Sequence, residues 1–204
     1  MFFATDIANF LACQHIATLN REQAEGKISR KVFADPGAEL LRKLGLEHEQ
    51  KYLNELKARG LKVVEISTDV PWSQAARATR EAMVQGADVI YQATLVQRES
   101  PSEEGGRDAC GPSESSMCRE SSMWGGRADF LIRVETPGEL AAWSYEVVET
   151  KLAKSTKARA LIQLCFYSEP VAAIQGRSEC MWFSEGEHSL KNLVCNAISR
   201  TSAK

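Results

Sequence analysis

Two charged residues, Glu149 and Lys151, end an otherwise apolar segment of β-strand type, WSYEVVETK. Side chains alternate between the two faces of a strand, so Trp143, Tyr145, Val147, Glu149 and Lys151 are expected to share one face. A carboxylate and an ammonium group are costly to bury unless each has a partner, and a metal ion together with a phosphate ester supplies both partners. The end of this segment is therefore a candidate site of metal-assisted chemistry.

Asp129 can supply a second carboxylate, because it lies near the start of the preceding strand-like segment, RADFLIRV. Two hard oxygen ligands, with water and phosphate in the remaining positions, are the usual arrangement around magnesium. Lys151 would then orient the attacking water or stabilise charge at the phosphate, and the backbone carbonyl of Thr150 is available as a further metal ligand. These residue types predict hydrolysis of phosphodiester bonds with Mg²⁺ or Mn²⁺.

The same residues resemble a known signature. Asp129 in GRADF, followed by Glu149-Thr150-Lys151, resembles the D…(D/E)xK signature of the PD-(D/E)XK nuclease superfamily. Further along, QLCFY places Gln163 and Tyr167 four residues apart, on one helix face. This pair resembles the QxxxY motif of RecB-type nucleases and their CRISPR-associated relatives, in which both residues contact DNA.

Upstream, GLEHE resembles the GxxH element of that group, whose histidine is an additional metal ligand and here is His48. The phrases DIANFLACQH, ADVIYQATL and GRADFLIRVE add to the similarity, which covers roughly residues 5 to 182 apart from one loop. The chain is thus similar to the amino-terminal domain of a RecB-like nuclease family. The resemblance implies a restriction-endonuclease-like α/β fold and hydrolysis of DNA, single-stranded or at duplex ends, in repair, recombination or defence.

Two further features of that group are not matched. A ribonuclease-H-like domain often follows in such proteins, whereas EGEHSLKNLVCNAISRTSAK does not continue the pattern, so we expect a truncated or frameshifted member whose activity could be impaired. CRISPR-associated relatives bind an iron-sulfur cluster through one early and three late cysteines. Cys13 matches the early position, but Cys180 and Cys195 stand too far apart for the late group, so no cluster is expected.

The elements that must position these residues form a mixed α/β sheet flanked by helices. Helices are predicted from Asp6 to about Asn20, from the Asp35-Pro36 turn to Gly60, over 72–83 and over about 156–174. Strands are predicted over 61–66, 88–95, 127–134, 143–151 and 179–183. Residues 97–126 are rich in Ser, Gly, Glu and Pro and predict a long disordered loop between two strands. One nuclease domain is expected over 1–187, with an atypical and possibly unstructured tail over 188–204.

Composition limits the partners. The formal net charge of the 204 residues is -2, so DNA binding must depend on local residues rather than on an overall basic field. We found no apolar run long enough for a membrane helix and no basic segment before the apolar start, which predicts a cytoplasmic protein without a membrane partner. The basic residues after the signature, Lys154, Lys157 and Arg159, are candidates for phosphate contacts.

Other interpretations of these residues remain open. His48 fits a hydrogen-bonded core histidine, and Glu149 with Lys151 fits a surface ion pair at a strand end. Gln163 and Tyr167 fit a polar helix edge and a core aromatic residue. Two alternative functions follow: a non-catalytic nucleic-acid-binding module that retains the nuclease fold, and a structural domain in which the ExK triplet is accidental.

Overall fold

The structure is a computed structural model that describes residues 3–29, 34–98, 123–151, 158–176, 181–185 and 189–193. Its helices are α1 (Ala4–Ala12), α2 (Gln14–Ala24), α3 (Pro36–Ala58), α4 (Trp72–Val84) and α5 (Ala158–Gln175). Its strands are β1 (Val63–Glu65), β2 (Val89–Arg98), β3 (Met123–Val134), β4 (Ser144–Lys151), β5 (Met181–Glu185) and β6 (Ser189–Leu193).

The helix ends mostly follow local chemistry. The Asp35 side chain accepts hydrogen bonds from the backbone N–H groups of Gly37 (2.9 Å) and Ala38 (3.2 Å), which fixes the start of α3. Gly60, with φ of 77°, follows its end. The prediction of one helix from Asp6 to Asn20 was wrong, because Cys13 adopts an extended conformation (φ -164°, ψ 112°) and separates α1 from α2.

The strands form one mixed sheet in the order β1-β2-β3-β4-β5-β6. The β1/β2 and β4/β5 pairs are parallel, and the β2/β3, β3/β4 and β5/β6 pairs are antiparallel. This confirms a mixed α/β sheet. The boundaries of the predicted loop were too wide, since β2 extends to Arg98 and β3 begins at Met123; residues 99–122 lie outside the described part of the chain. Residues 189–193, within the segment expected to be an atypical tail, form β6 and pair with β5.

Helices cover both faces of this sheet. On one side, called the α5 face, Ala82 and Met83 of α4 and Leu164 and Val171 of α5 belong to one buried cluster with Val147 of β4. On the other side, called the α3 face, a second cluster joins Leu53 and Leu56 of α3 to three strand residues, Val89, Phe130 and Val148. The functional candidates are thus distributed over three layers: Asp129, Glu149 and Lys151 belong to the sheet, His48 to α3, and Gln163 and Tyr167 to α5.

Only the second half of α3 is packed in this way. Leu40, Leu41 and Leu44, which the sequence placed on the apolar stripe of this helix, are 57%, 68% and 41% exposed. The described helices include none that is both long and apolar enough to span a bilayer.

Candidate active site

The pairing of β2 with β3 is interrupted at one place. The register passes from Tyr91↔Phe130 to Ala93↔Ala128, and along these two described strands no backbone pairing joins Gln92 to Asp129. Gln92 has φ of 55°, and a non-glycine residue in this left-handed region costs about 1 to 3 kcal/mol. A specific contact must therefore stabilise the left-handed backbone conformation of Gln92.

Asp129 turns its carboxylate towards the neighbouring strand. Its Oδ2 accepts hydrogen bonds from the backbone N–H of Thr150 (3.0 Å) and from the Thr150 hydroxyl (3.2 Å). Asp129 is half-buried, and Thr150 is 7% exposed. Two donors fixed on β4 thus orient one oxygen of this carboxylate, which is the kind of support that a metal-binding carboxylate needs.

Glu149 lies one residue before Thr150 and is only 1% exposed. It follows Tyr145 and Val147 at the spacing of two that puts all three on the α5 face, and both of those residues belong to the core cluster on that side. The alternation predicted from the sequence is confirmed for these three positions. A carboxylate is thereby carried into the sheet beside Asp129, at the end of an apolar row.

Tyr167 of α5 lies within electrostatic reach of both carboxylates. Burial raises the pKa of its hydroxyl, and the negative charges of Glu149 and Asp129 raise it further, while a hydrogen bond with Gln163 lowers it. Electrostatic effects of this kind act over short distances in a protein interior. Gln163 and Tyr167 therefore share one face of α5, and the tyrosine on that face is close enough to both carboxylates for their charges to act on it.

The close approach of Tyr167 to the sheet depends on Gly126 of β3. A Cβ atom added to this glycine would lie 2.3 Å from Cε1 and 3.1 Å from Cζ of the Tyr167 ring. Tyr167 is 7% exposed, so its ring has little room to move away. The glycine is thus needed to place the tyrosine against β3, a role that the sequence analysis did not assign.

The α3 face adds a third carboxylate, from Glu49. Its Oε1 accepts a short hydrogen bond from the side-chain amide of Gln92, and its side chain is 8% exposed. Burial raises the pKa of Tyr91 to about 12, with further contributions from the charge of Glu49, from a hydrogen bond to Glu49 and from the charge of Asp129. The charge of Asp129 therefore acts on a tyrosine of each cluster, Tyr167 on the α5 face and Tyr91 on the α3 face.

His48 lies on α3 beside Glu49 and is half-buried. Its Nε2 has no hydrogen-bond partner within the part of the chain that the structure describes. Across the same ranges, no group of three or more His, Cys, Asp or Glu side chains is arranged to hold a metal ion. His48 thus does not join Asp129 and Glu149 in a ready-formed set of three ligands, and its metal ligation stays a prediction.

The other predicted residues are placed only in part. Lys151 is the last residue of β4, two positions after Glu149, and is paired through its backbone with Glu185. Lys154 and Lys157 lie outside the described residues, as do Cys180 and Cys195, whereas Arg159 belongs to α5. Cys13 is an exposed free thiol.

The residues brought together fit a divalent cation of the magnesium type. Asp129 and Glu149 offer hard carboxylate oxygens from adjacent strands, and Mg²⁺ is commonly bound by one or two carboxylates, with water and substrate phosphate completing its shell. A divalent cation between these two strands would offset the like charges of the two carboxylates.

Sequence reasoning missed Glu49, Gln92 and Gly126. The only signal for Glu49 is its position beside His48 in GLEHE, one residue away on the same helix. Gln92 is the one amide in the apolar segment DVIYQATL, and Gly126 precedes the RADF phrase. None of these signals by itself indicates a site.

Comparison with known proteins yielded no relative: no family model, no curated protein and no solved structure matches this chain.

Proposed function

We propose that this chain is a divalent-metal-dependent nuclease that hydrolyses DNA phosphodiester bonds, and that its mixed sheet is a restriction-endonuclease-like core. The observation that carries the proposal is the position of Asp129, held by two hydrogen bonds from Thr150, beside the buried Glu149, with Tyr167 packed against the same strand as Asp129. Asp129, Glu149 and Tyr167 belong to the order of motifs that resembles the RecB-like nucleases. A divalent cation held by both carboxylates would offset their like charges, and a phosphate would complete its coordination shell.

Each residue has a role in this proposal. Asp129, oriented by Thr150, and Glu149 hold Mg²⁺ or Mn²⁺. When bound, the cation supplies Lewis acidity and offsets negative charge at the phosphate. Lys151 orients the attacking water or offsets charge at the phosphate in the transition state, and Gln163 with Tyr167 contacts the DNA strand beside the scissile bond.

The test is a cleavage assay of the full chain on labelled linear and circular DNA, with Mn²⁺, with Mg²⁺ and with EDTA. We expect cleavage only with a divalent metal. Lys151→Ala should lower the cleavage rate by about 100-fold or more, because a charge near the reacting phosphate is lost. Its DNA dissociation constant should stay within about threefold of the original, since most contacts to the strand remain.

Lys43→Ala is the matched control, because Lys43 is an exposed lysine of α3 whose nearest acidic group, Glu47, lies 3.9 Å away. It should cut like the unmodified chain. Failure of the unmodified chain to cut DNA with Mn²⁺ would contradict the proposal. If DNA is bound but not cut, the chain is the non-catalytic binding module that the sequence left open; if it is neither bound nor cut, the structural-domain alternative holds.

A further inference from the structure

Gln92 is the one non-glycine residue with positive φ among the described residues, and it lies in the middle of β2. Glutamine has no special tolerance of the left-handed region, unlike glycine or asparagine. A strand residue with φ of 55° must therefore be held in that conformation by its surroundings.

The contact that can hold it comes from α3. The Gln92 side-chain amide donates to Oε1 of Glu49, 43 residues away in sequence. Glu49 is 8% exposed, and Leu53, one helical turn further along, is fully buried in the cluster on the α3 face. The carboxylate that binds Gln92 is thus anchored by a packed helix.

The conformation of Gln92 coincides with a shift in the alternation of both adjacent strands. Ile90 and Ala93 lie three residues apart but both belong to the cluster on the α5 face, and the same holds for Ala128 and Leu131 of β3. In a regular strand, residues three apart point to opposite faces. Both strands therefore change phase at the position of Gln92 and Asp129, while the one-to-one register on either side of these two residues stays the same, unlike at a bulge.

We propose that Glu49 and Gln92 are positioning residues for Asp129: Glu49 holds Gln92 in its left-handed conformation, and the resulting interruption releases Asp129 from the β2–β3 ladder so that its carboxylate reaches Thr150. The structural part of this inference stands on the geometry alone. Its catalytic consequence rests on the proposed nuclease function.

The direct test is NMR of the unmodified chain and of Glu49→Ala and Glu49→Gln. The Cα and Cβ shifts of Gln92 report left-handed against extended backbone, and the amide proton shift of Thr150 reports its hydrogen bond to Asp129. Glu49→Ala should move both signals, whereas Glu49→Gln, which still accepts from the Gln92 amide, should move neither. Glu47→Ala, an exposed acidic position on the same helix, is the control. Unchanged signals in Glu49→Ala overturn the inference.

A second pair of variants avoids dependence on the folding of Glu49→Ala. Glycine adopts positive φ without strain and valine does not, so Gln92→Gly should keep the Thr150 signal and Gln92→Val should lose it. Equal signals in the two variants overturn the inference. Neither NMR experiment requires catalysis, so an inactive unmodified chain refutes the proposed function and leaves the positioning inference to be judged by these signals.

Kinetics separate positioning from direct participation. Glu49→Ala should lower kcat by about tenfold at unchanged KM, because a displaced catalytic group is costly even when the substrate still binds. Glu49→Gln should stay within about threefold, and Gln92→Gly added to Glu49→Ala should recover most of the loss. If Glu49→Gln is as impaired as Glu49→Ala, the carboxylate acts through its charge and the positioning role is wrong.

Discussion

The two ends of β4 use polar groups in opposite ways. At its start, Tyr145 is fully buried, and its hydroxyl donates to the backbone carbonyls of Ala87 (2.7 Å) and Met83 (3.3 Å). At its end, Glu149 and Asp129 bring charges of the same sign towards one tyrosine. The first arrangement pairs a buried hydroxyl with backbone acceptors, whereas the second places two carboxylates within electrostatic reach of one buried hydroxyl.

At the start of β4, a side chain rather than a neighbouring strand forms the backbone hydrogen bonds along one edge. Among the described residues, β4 pairs with β5 only from Val148 onwards. The backbone N–H and carbonyl of Tyr145 on that edge of β4 therefore need another partner. The Gln175 side chain fills this place, because its Oε1 accepts from Tyr145 N–H (2.9 Å) and its Nε2 donates to the Tyr145 carbonyl (3.1 Å). Gln175 is fully buried, so the last residue of α5 substitutes for a neighbouring strand.

The buried polar groups at the two ends of β4 differ in how they are paired. Reciprocal hydrogen bonds to backbone, as between Gln175 and Tyr145, explain a buried polar residue by folding alone. Asp129 also accepts hydrogen bonds, from Thr150, but it differs from Gln175 in carrying a charge and in lying on the strand beside the buried Glu149, which is the arrangement that the proposed metal site would use. A substitution of Glu149 should therefore lower activity with little change in stability, whereas a substitution of Gln175 should lower stability with little change in activity.

The largest expected effect is the loss of activity in Glu149→Gln. The substitution keeps the shape of the side chain but removes one of the two carboxylate charges, so kcat/KM should fall by about 1,000-fold or more. The free energy of unfolding should change by less than about 1 kcal/mol. Cleavage assays with Mn²⁺ and urea unfolding measure the two quantities.

Glu146→Gln is the matched control for this change, since Glu146 is a half-buried acidic residue of the same strand, three positions earlier. It should retain activity. A Glu149→Gln variant that cuts normally, or one that loses activity only because it unfolds, would remove the distinction between the two ends of β4.

The second effect is a loss of stability at the other end. Gln175→Met keeps the length of the side chain but leaves the Tyr145 N–H and carbonyl without their partner, which should lower the free energy of unfolding by about 2 to 4 kcal/mol. The cleavage rate of the folded molecules should not change. Urea unfolding tests this, with Gln74→Met at an exposed position of α4 as the control. Equal stability of the two variants would show that Gln175 is not a substitute strand.

The sequence predicted those features that depend on local chemistry. The Asp35-Pro36 start of α3, the alternation that carries Glu149 and the spacing of Gln163 and Tyr167 can each be recognised within a few residues. The break at Cys13 could not be predicted, because no glycine or proline marks it. The left-handed Gln92 has no sequence signature either, because its partner Glu49 is distant in the chain and is recognised only after α3 packs on the sheet.

The exposed leucines of α3 show a second limit of prediction from the sequence. Leu40, Leu41 and Leu44 have helical spacing like that of Leu53 and Leu56, yet only the last two reach the sheet. Periodicity identifies which face of a helix is apolar, but the sheet determines how much of that face is covered. Similarly, the sequence identified His48 on α3, whereas the neighbouring Glu49 is the residue that contacts β2.

The smallest effect is expected in alkaline solution. Burial raises the pKa of Tyr145 from 10.0 to about 12, with the charge of Arg133 acting in the opposite direction and that of Asp88 in the same direction. Because the folded-state pKa is the higher one, the stabilisation is fully present below pH 10.0 and is lost as pH rises through about 12.

Over this range one proton changes the free energy of unfolding by about 1.4 kcal/mol per pH unit. Tyr145→Phe has no proton to lose, so its unfolding free energy should fall less steeply between pH 10.0 and about 12 than that of the unmodified chain. Urea unfolding at a series of pH values measures the two slopes. Because the remaining titrating groups are the same in both proteins, the difference isolates Tyr145. Equal slopes would mean that water reaches this hydroxyl. The start of β4 would then not be shielded from solvent as its burial indicates.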